Sequence, residues 1–206
     1  MKRITALELR YIVDELEALR GLRIGNIYHS DDEIRIFVDD NILLISPYKF
    51  YLTKKVGKKE LSDFVLFLRR YLKNKSIERI DYHGLSVEMI TNENILIIEF
   101  APSFNCILCD RSYNIIMPLN ADKRNNIMPK MKYIIPQDEA LEIREKRPQV
   151  VYKNKRVFDA VPFDMDIYKK MDKKYFDSFN EALDYFFSKF RPKAKKRLKR
   201  KRKKLR

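Results

Sequence analysis

The sequence predicts an α+β fold that consists mainly of antiparallel β-sheet, arranged as a sandwich with flanking helices. Short runs of Ile, Val, Tyr and Phe follow one another, and turn residues separate them. Because helices do not alternate with these runs, the pattern does not favour a parallel doubly wound sheet. Three further segments repeat apolar residues with the helical period. A run of cations ends the chain, and we expect it to be a disordered basic tail.

The composition limits the class of protein. The 206 residues are 45 % apolar, which is enough for a sizeable core. The apolar runs are shorter than the roughly 18–20 residues that cross a membrane, and no apolar stretch follows Met1-Lys2-Arg3 as in a secretory signal. Two cysteines cannot form a disulfide framework. We therefore expect a cytoplasmic protein without a membrane segment.

The chain is predicted to begin with a helix and a β-meander. Thr5 and Glu8 have the spacing of a capping box, apolar residues then recur with the helical period, and Gly21 suits the position after a helix. Strands are predicted at residues 24–28, 34–38, 42–45 and 50–53. The acid pairs Asp31-Asp32 and Asp39-Asp40 fall between these strands, and we interpret them as solvated turn residues.

The middle and end of the chain continue the pattern. A second helix is predicted at residues 61–73, with Leu61, Phe64, Val65, Leu68 and Leu72 facing inward. Further strands are predicted at residues 77–82, 87–91, 95–100, 106–108, 115–117, 150–152 and 157–158. A surface loop is expected at 118–136, a short helix at 138–146, a hairpin turn at 153–155 and a last helix at 178–190. Ser178 and Glu181 repeat the capping-box spacing.

The residues that could carry chemistry are few. Cys106 and Cys109 have C-x-x-C spacing, but a zinc site needs four ligands and the two histidines, His29 and His83, are isolated. Positions three apart in a strand point to opposite faces, so we interpret both cysteines as buried small residues. Neither a nucleophile elbow nor a glycine-rich phosphate loop is present. We predict no enzymatic activity, no cofactor and no metal.

The positive charge is concentrated at the C-terminus. Lys and Arg number 44 and Asp and Glu number 29, so the net charge is +15. From residue 191 onwards, twelve of sixteen residues are cations and none is an acid, which leaves 32 cations and 29 acids elsewhere. Such a tail attracts RNA, DNA or an anionic surface without specificity. The candidate RNA-binding residues are Arg191, Lys193, Lys195, Lys196, Arg197, Lys199, Arg200, Lys201, Arg202, Lys203, Lys204 and Arg206.

Several segments, in the same order, resemble the N-terminal domain of the NFACT family, which includes RqcH, NEMF and proteins once labelled fibronectin-binding. The matching segments are residues 7–19, 21–28, 43–47, 50–53, 64–72, 97–100, 105–110, 133–136, 151–163 and 175–186. The resemblance covers nearly all of residues 1–190. It implies three parts: a β-rich domain at 1–136, a shortened return segment with a helix at 137–190, and the basic tail at 191–206.

The resemblance implies a role in ribosome-associated quality control. Full-length members of the family bind large ribosomal subunits that carry a peptidyl-tRNA, recruit tRNA and promote untemplated tailing of the stalled chain. The expected function is therefore that of a noncatalytic RNA-binding component whose partners are the large subunit and tRNA. An alternative is a protein–protein scaffold that has kept the fold and lost tRNA recognition.

Three departures from the family pattern bear on this expectation. The family has an Asp-Arg pair, tied to tRNA handling, where Ser86-Val87 stand here, and the later Asp110-Arg111 pair does not occupy that position. About a dozen residues, 137–148, replace a helix-hairpin-helix segment. The coiled coil and the R domain are missing, so a separate chain is a possible partner that supplies them.

The family's domain also resembles the N-domain of formamidopyrimidine-DNA glycosylases. Those enzymes use an N-terminal proline amine, followed by a glutamate, in catalysis. This chain has Lys2 and Arg3 at those positions, so glycosylase chemistry is not expected.

Overall fold

The computed structural model describes residues 3–137 and 144–190 of the chain. Within these ranges, three α-helices accompany three antiparallel sheets of four, five and three strands. The predicted α+β fold, with mostly antiparallel sheet, is confirmed. No helix of the described ranges is long and apolar enough to cross a membrane.

The first helix and the first sheet agree with the sequence pattern. Helix α1 spans Ala6–Leu16, and the predicted capping box forms, since the Thr5 hydroxyl accepts from the Glu8 N–H and the Glu8 carboxylate accepts from the Thr5 N–H. A 3₁₀ turn, Glu17–Leu19, extends the helix. The meander contains β1 (Ile24–Ser30), β2 (Glu33–Val38), β3 (Asn41–Ser46) and β4 (Lys49–Thr53), in that spatial order. Asp31 and Asp39 have positive φ in its turns and are exposed, as solvated turn residues are.

The second helix and the second sheet follow the meander. Helix α2 spans Asp63–Leu72, and the Ser62 hydroxyl caps it by accepting from the Val65 N–H. The prediction that Leu61 faces inward is wrong: Leu61 precedes this cap and is 52 % exposed. The five-stranded sheet contains, in spatial order, β5 (Ile77–His83), β6 (Ser86–Thr91), β7 (Asn94–Glu99), β8 (Asn105–Asp110) and β9 (Ile115–Pro118).

The last sheet lies against the third helix. It has the spatial order β11 (Arg156–Val161), β10 (Gln149–Lys153) and β12 (Asp172–Tyr175), and the predicted hairpin turn brings Asn154 and Lys155 to positive φ. Helix α3 spans Phe179–Lys189. Strand β12 was not predicted. The helix expected at 138–146 falls mostly outside the described residues, and residues 144–146 are not helical, so for them that prediction is wrong.

A buried carboxylate joins the two ends of the described chain. The Glu15 side chain on α1 accepts from the backbone N–H groups of Phe179 and Asn180, at 2.6 and 2.8 Å, and so caps the first turn of α3. The Asn180 side chain in turn accepts from the Leu52 N–H of β4 at 2.7 Å. These contacts place α1, α3 and the meander around one apolar core.

The five-stranded sheet is buried on both faces. Its inner face joins the main core, which the meander and the three helices complete. Its outer face has a second, smaller core beneath the irregular segment 119–136. The buried residues of this second core are Ile90, Ile95, Ile97, Ile107, Cys109, Ile115, Ile127 and Tyr133. The expected surface loop thus also serves as the cover of a β-sheet.

Candidate functional site

A cleft of about 400 Å³ opens between the outer face of the five-stranded sheet and its covering segment. One wall is the turn 101–103, and the other is formed by residues 120–127 and 132–136. Polar side chains from the sheet and its cover line the cleft, and they include Ser86, Glu99, Asn105 and Tyr133. The cleft is large enough to accept a small polar group, because ligand sites usually begin at about 300 Å³.

The strand register explains why polar residues meet here. Ser86 of β6 lies opposite Glu99 of β7, and Glu99 lies opposite Asn105 of β8, so the three side chains form one row across the outer face. Side chains alternate along a strand, and the neighbouring Val87 is therefore fully buried in the main core. The row lies at the end of the sheet, beyond the isoleucines of the second core.

Glu99 is held by the covering segment. The Tyr133 hydroxyl donates to the Glu99 Oε1 at 2.9 Å, and the Tyr133 ring is 4 % exposed. Burial raises the pKa of the Glu99 carboxyl above its ordinary 4.5, and the hydrogen bond from Tyr133 opposes that rise. Burial and the nearby carboxylate also raise the pKa of the Tyr133 phenol. The tyrosine therefore remains a donor, and Glu99 is a carboxyl group poised to accept a further hydrogen bond.

A second buried carboxyl group, that of Glu88, also accepts a hydrogen bond from a tyrosine hydroxyl. It lies on β6, two residues from Ser86. Glu88 is 2 % exposed and accepts from the Tyr113 hydroxyl through Oε2 at 3.0 Å. His83 Nε2 lies 3.9 Å from the same oxygen. Burial raises the pKa of the Glu88 carboxyl, and the other oxygen, Oε1, has no hydrogen-bond partner within the described residues. Buried acids with raised pKa values next to a cleft are typical of functional sites.

Amide groups complete the lining. The Asn105 Oδ1 accepts from the backbone N–H groups of Cys106 and Asn120, at 3.0 and 2.9 Å, so it fixes the covering segment on the sheet. Asn120, Asn125 and Asn126 lie along the opposite wall. The cleft therefore presents amides, hydroxyls, the carboxyl groups of Glu99 and Asp122 and the ammonium group of Lys132, a set that recognises hydrogen-bonding groups. In the described ranges, no three His, Cys, Asp or Glu side chains are grouped as a metal site requires.

The candidate residues from the sequence fall elsewhere. All twelve cations from Arg191 to Arg206 lie outside the described residues, so their role stays a prediction. Cys106 and Cys109 are both fully buried, and they belong to the main core and the second core respectively, as the strand period predicts. Burial raises the pKa of the Cys109 thiol to about 12.

The Asp110-Arg111 pair has structural partners. Asp110 accepts from the N–H groups of Ser112 and Asn114, at 2.8 and 2.9 Å, and so closes the turn between β8 and β9. The Arg111 guanidinium donates to the Thr91 carbonyl at 2.6 Å and to Glu78 at 3.0 Å. Both residues of this pair are thus engaged in contacts that hold the turn between β8 and β9.

The residues of the cleft were missed at the sequence level. Glu88 stands between Val87 and Met89, and Glu99 directly follows Ile97-Ile98, so both acids interrupt apolar strands. That interruption is the signal that could have identified them, because an acid in a buried strand requires a partner. The partners Tyr113 and Tyr133 come from irregular segments and carry no comparable signal.

The fold and the cleft together define an α+β domain with a polar cleft on the outer face of its larger sheet. No family model matches the sequence. The chain is 23 % identical to the archaeal Rqc2 homolog aRqcH of Methanocaldococcus jannaschii, over 91 % of this chain and 42 % of that protein. That alignment has 284 positions, 78 more than the 206 residues of this chain, so the relative contains sequence with no counterpart here.

Two solved structures have the same fold. The fibrinogen binding protein of Staphylococcus aureus is 18 % identical with a TM-score of 0.73, covering 89 % of this chain and 98 % of that one. The N-terminal part of the fibronectin/fibrinogen-binding protein of Streptococcus suis is 18 % identical with a TM-score of 0.75, covering 90 % and 99 %. The resemblance to the NFACT N-terminal domain, in a shortened form, is thus confirmed.

Proposed function

We propose that this protein is a noncatalytic RNA-binding component of ribosome-associated quality control. The observation that carries the proposal is the similarity to the archaeal Rqc2 homolog, which extends over 91 % of the chain. Its partners would be the large ribosomal subunit and tRNA in the cytoplasm. Because the chain spans 42 % of the relative's length, we further propose that a separate chain supplies the coiled coil and the R domain.

The cleft supports a specific contact from the folded part. Ser86 lines it at the position of the first residue of the family's Asp-Arg pair, and Glu99 lies directly across the strand pair. A carboxyl group is thus present at this place although residue 86 is Ser. The side chain of Val87 is inside the main core, where an arginine would be buried without a partner. The cleft would therefore contribute hydrogen bonds, and it would contribute little of the charge attraction.

The basic tail would supply most of the affinity. If its twelve cations engage about six to ten phosphates, the association constant should fall by roughly 10³ to 10⁵ between 50 and 200 mM salt. Such attraction does not distinguish one polyanion from another. Specificity for subunits that carry peptidyl-tRNA would have to come from residues 3–190. Within them, the cleft is the main candidate for that contact.

Sedimentation with large ribosomal subunits tests this proposal. We expect the full chain to sediment with subunits at low salt, and an excess of duplex DNA to leave it bound to subunits that carry peptidyl-tRNA. Glu99→Gln should weaken that preference, whereas Glu78→Gln, a matched change on the same sheet away from the cleft, should not. A peptide of residues 191–206 that binds both kinds of subunit as well as the full chain does would overturn the proposal.

The second candidate is a protein–protein scaffold. The absence of the Asp-Arg pair at Ser86-Val87 favours it, because the family ties that pair to tRNA. A scaffold predicts equal binding to empty and tRNA-bearing subunits, and no change from Glu99→Gln. We also propose that neither candidate is an enzyme, since the sequence has only two histidines and neither a nucleophile elbow nor a glycine-rich phosphate loop.

A further inference from the structure

A lysine-rich segment crosses the outer face of the meander. Residues 54–59, which we call the lysine strap, have the sequence Lys54-Lys55-Val56-Gly57-Lys58-Lys59, and each of them is exposed. Lys54 donates to the Asp40 carbonyl at one end, and the backbone of Glu60 pairs with that of His29 at the other. Between these two attachments, the strap lies in neither a helix nor a strand.

The strap lies directly on an arginine. Arg35 is on the outer face of β2, since its neighbours Ile34 and Ile36 are in the main core. Gly57 has a φ of +64°, and a methyl group on its Cα would come within 2.5 Å of the Arg35 Cζ. The glycine backbone therefore covers the guanidinium group, and no other residue could approach it so closely without displacing it.

The guanidinium is incompletely paired. Its Nη2 contacts the Glu33 carboxylate, but Nε and Nη1 are buried and have no hydrogen-bond partner within the described residues. Glu33 is shared, because its other oxygen contacts the Lys49 ammonium at 2.5 Å. A buried charge with unused donors is costly, and the cost falls when an anion supplies the missing acceptors.

Other cations surround this arginine. Tyr28 lies opposite Arg35 in the strand register, and its ring contacts the Arg69 guanidinium at 4.5 Å and the Lys59 ammonium at 5.6 Å. The acids near these cations and the strap are Glu33, Glu60 and Asp184. Glu60 lies 4.0 Å from Lys58 and is largely exposed, and Asp184 of α3 contacts Lys55 of the strap at 2.9 Å. The five cations of this cluster are Arg35, Lys49, Lys58, Lys59 and Arg69.

We propose that the lysine strap and Arg35 form a phosphate-binding site on the folded part of the chain. The Arg35 guanidinium donates charge-assisted hydrogen bonds to phosphate oxygens, and lysines add point charges around it. A phosphate oxygen accepts from the unpartnered Nε–H, and the segment around Gly57 moves aside to admit the phosphate. The phosphate is either a free anion or a group in a nucleic-acid backbone. The inference does not depend on the proposed function, since it rests on contacts within the meander, the strap and helix α2.

Nuclear magnetic resonance of the ¹⁵N-labelled full chain tests the site. Pyrophosphate is the probe, and sodium chloride holds the ionic strength constant. We expect the Arg35 Nε–H and the Gly57 amide signals to shift together and to saturate. Shifts that do not saturate, or that spare both signals, would overturn the proposal. Because the readout is local, attraction to residues 191–206 does not interfere with it.

Paired variants separate this site from general charge. Lys58→Gln with Lys59→Gln should weaken pyrophosphate binding about tenfold, because two charge-assisted contacts are lost. Lys169→Gln with Lys170→Gln removes the same charge from exposed positions elsewhere and should change binding less than about twofold. An equal loss in both pairs would overturn the site. Gly57→Ala, in which the new methyl displaces Arg35, should abolish the coupled shift in a chain whose other signals are unchanged.

A short oligouridylate distinguishes the source of the phosphate. If it shifts the same two signals as pyrophosphate, the ligand is a nucleic-acid phosphate. If only pyrophosphate does so, the ligand is a free anion. Either result supports the phosphate chemistry. Failure of the ribosome sedimentation experiment would leave these shifts unaffected, so the two proposals fail independently.

Discussion

The two faces of the five-stranded sheet differ in what covers them and in what they contain. The inner face packs on helices and a second sheet, and its side chains, such as Val87, Leu96 and Leu108, are apolar. The outer face lies under an irregular segment and combines isoleucines with Glu88 and Glu99. Each acid accepts from a tyrosine of an irregular segment, Glu88 from Tyr113 in the turn between β8 and β9 and Glu99 from Tyr133 in the cover. The inner face therefore stabilises the fold, and the outer face can carry a binding site.

The largest effect on stability is expected when two neighbouring residues of β8 are each replaced by alanine. Leu108 and Ile107 are both fully buried, but Leu108 belongs to the main core and Ile107 to the second core. Leu108→Ala should lower the free energy of unfolding by about 3–5 kcal/mol, and Ile107→Ala by about 2–3 kcal/mol, since the irregular cover can collapse into the smaller cavity. Urea denaturation measures both. A larger loss for Ile107→Ala would show that the second core is the more rigid of the two.

The next effect concerns the hydroxyl over Glu99. Tyr133→Phe leaves the buried carboxyl without its donor and should cost about 1–3 kcal/mol at pH 7. The folded pKa of Glu99 is raised above 4.5, so its stabilising contribution is present below that pH and is lost as the pH rises. Without the hydroxyl, the pKa of Glu99 rises further, so the loss of stability extends to higher pH and is larger at pH 7. The cost should therefore be smaller at pH 4 than at pH 7.

Tyr152→Phe is the matched control for this experiment. Its hydroxyl contacts the Tyr185 hydroxyl at 3.0 Å instead of an acid. Thermal unfolding at pH 4 and pH 7 should give the same cost for Tyr152→Phe at both values. If Tyr133→Phe were equally independent of pH, the outer face would not contain a titrating acid beneath its cover.

Local patterns in the sequence were sufficient for most of the fold. The Thr5 cap, the meander and the alternation at Cys106 and Cys109 depend on residues close together in the chain. Their spacing in the sequence is therefore enough to predict them. Strand β12 was missed because Asp172-Lys173-Lys174-Tyr175 has no apolar alternation, and pairing with β10 alone makes it a strand. The cleft was missed for a related reason, since it depends on Tyr133 folding back over Glu99.

A smaller effect tests the turn that leads into the covering segment. Asp110 accepts three hydrogen bonds, from the N–H groups of Ser112 and Asn114 and from the Asn114 side chain. These hydrogen bonds lower the pKa of Asp110, and the bond from the Asn114 side chain contributes most. Its contribution is therefore present above the ordinary pKa of 3.8 and is lost as the pH falls through the lower folded value. Asp110→Ala should cost about 0.5–1.5 kcal/mol at pH 7 and less as the pH falls below 3.8, as measured by urea denaturation. A cost that persists in acid would mean that the turn depends on the shape of the side chain and not on its charge.

The smallest effect is expected at the C-terminus. Helix α3 ends at Lys189, and its last apolar contact is the stacking of Phe190 on Phe186, with ring centroids 5.0 Å apart. Because the apolar pattern stops there, neither face of the five-stranded sheet should depend on residues 191–206. Truncation after Phe190 removes twelve cations, which also relieves self-repulsion in a chain of net charge +15. We expect calorimetry to give one cooperative transition with Tm within about 2 °C of the full chain, since 1 kcal/mol corresponds to about 2–4 °C at this size. A fall of more than about 5 °C would show that the basic residues pack on the folded part, and the tail would then have to be counted as part of the domain.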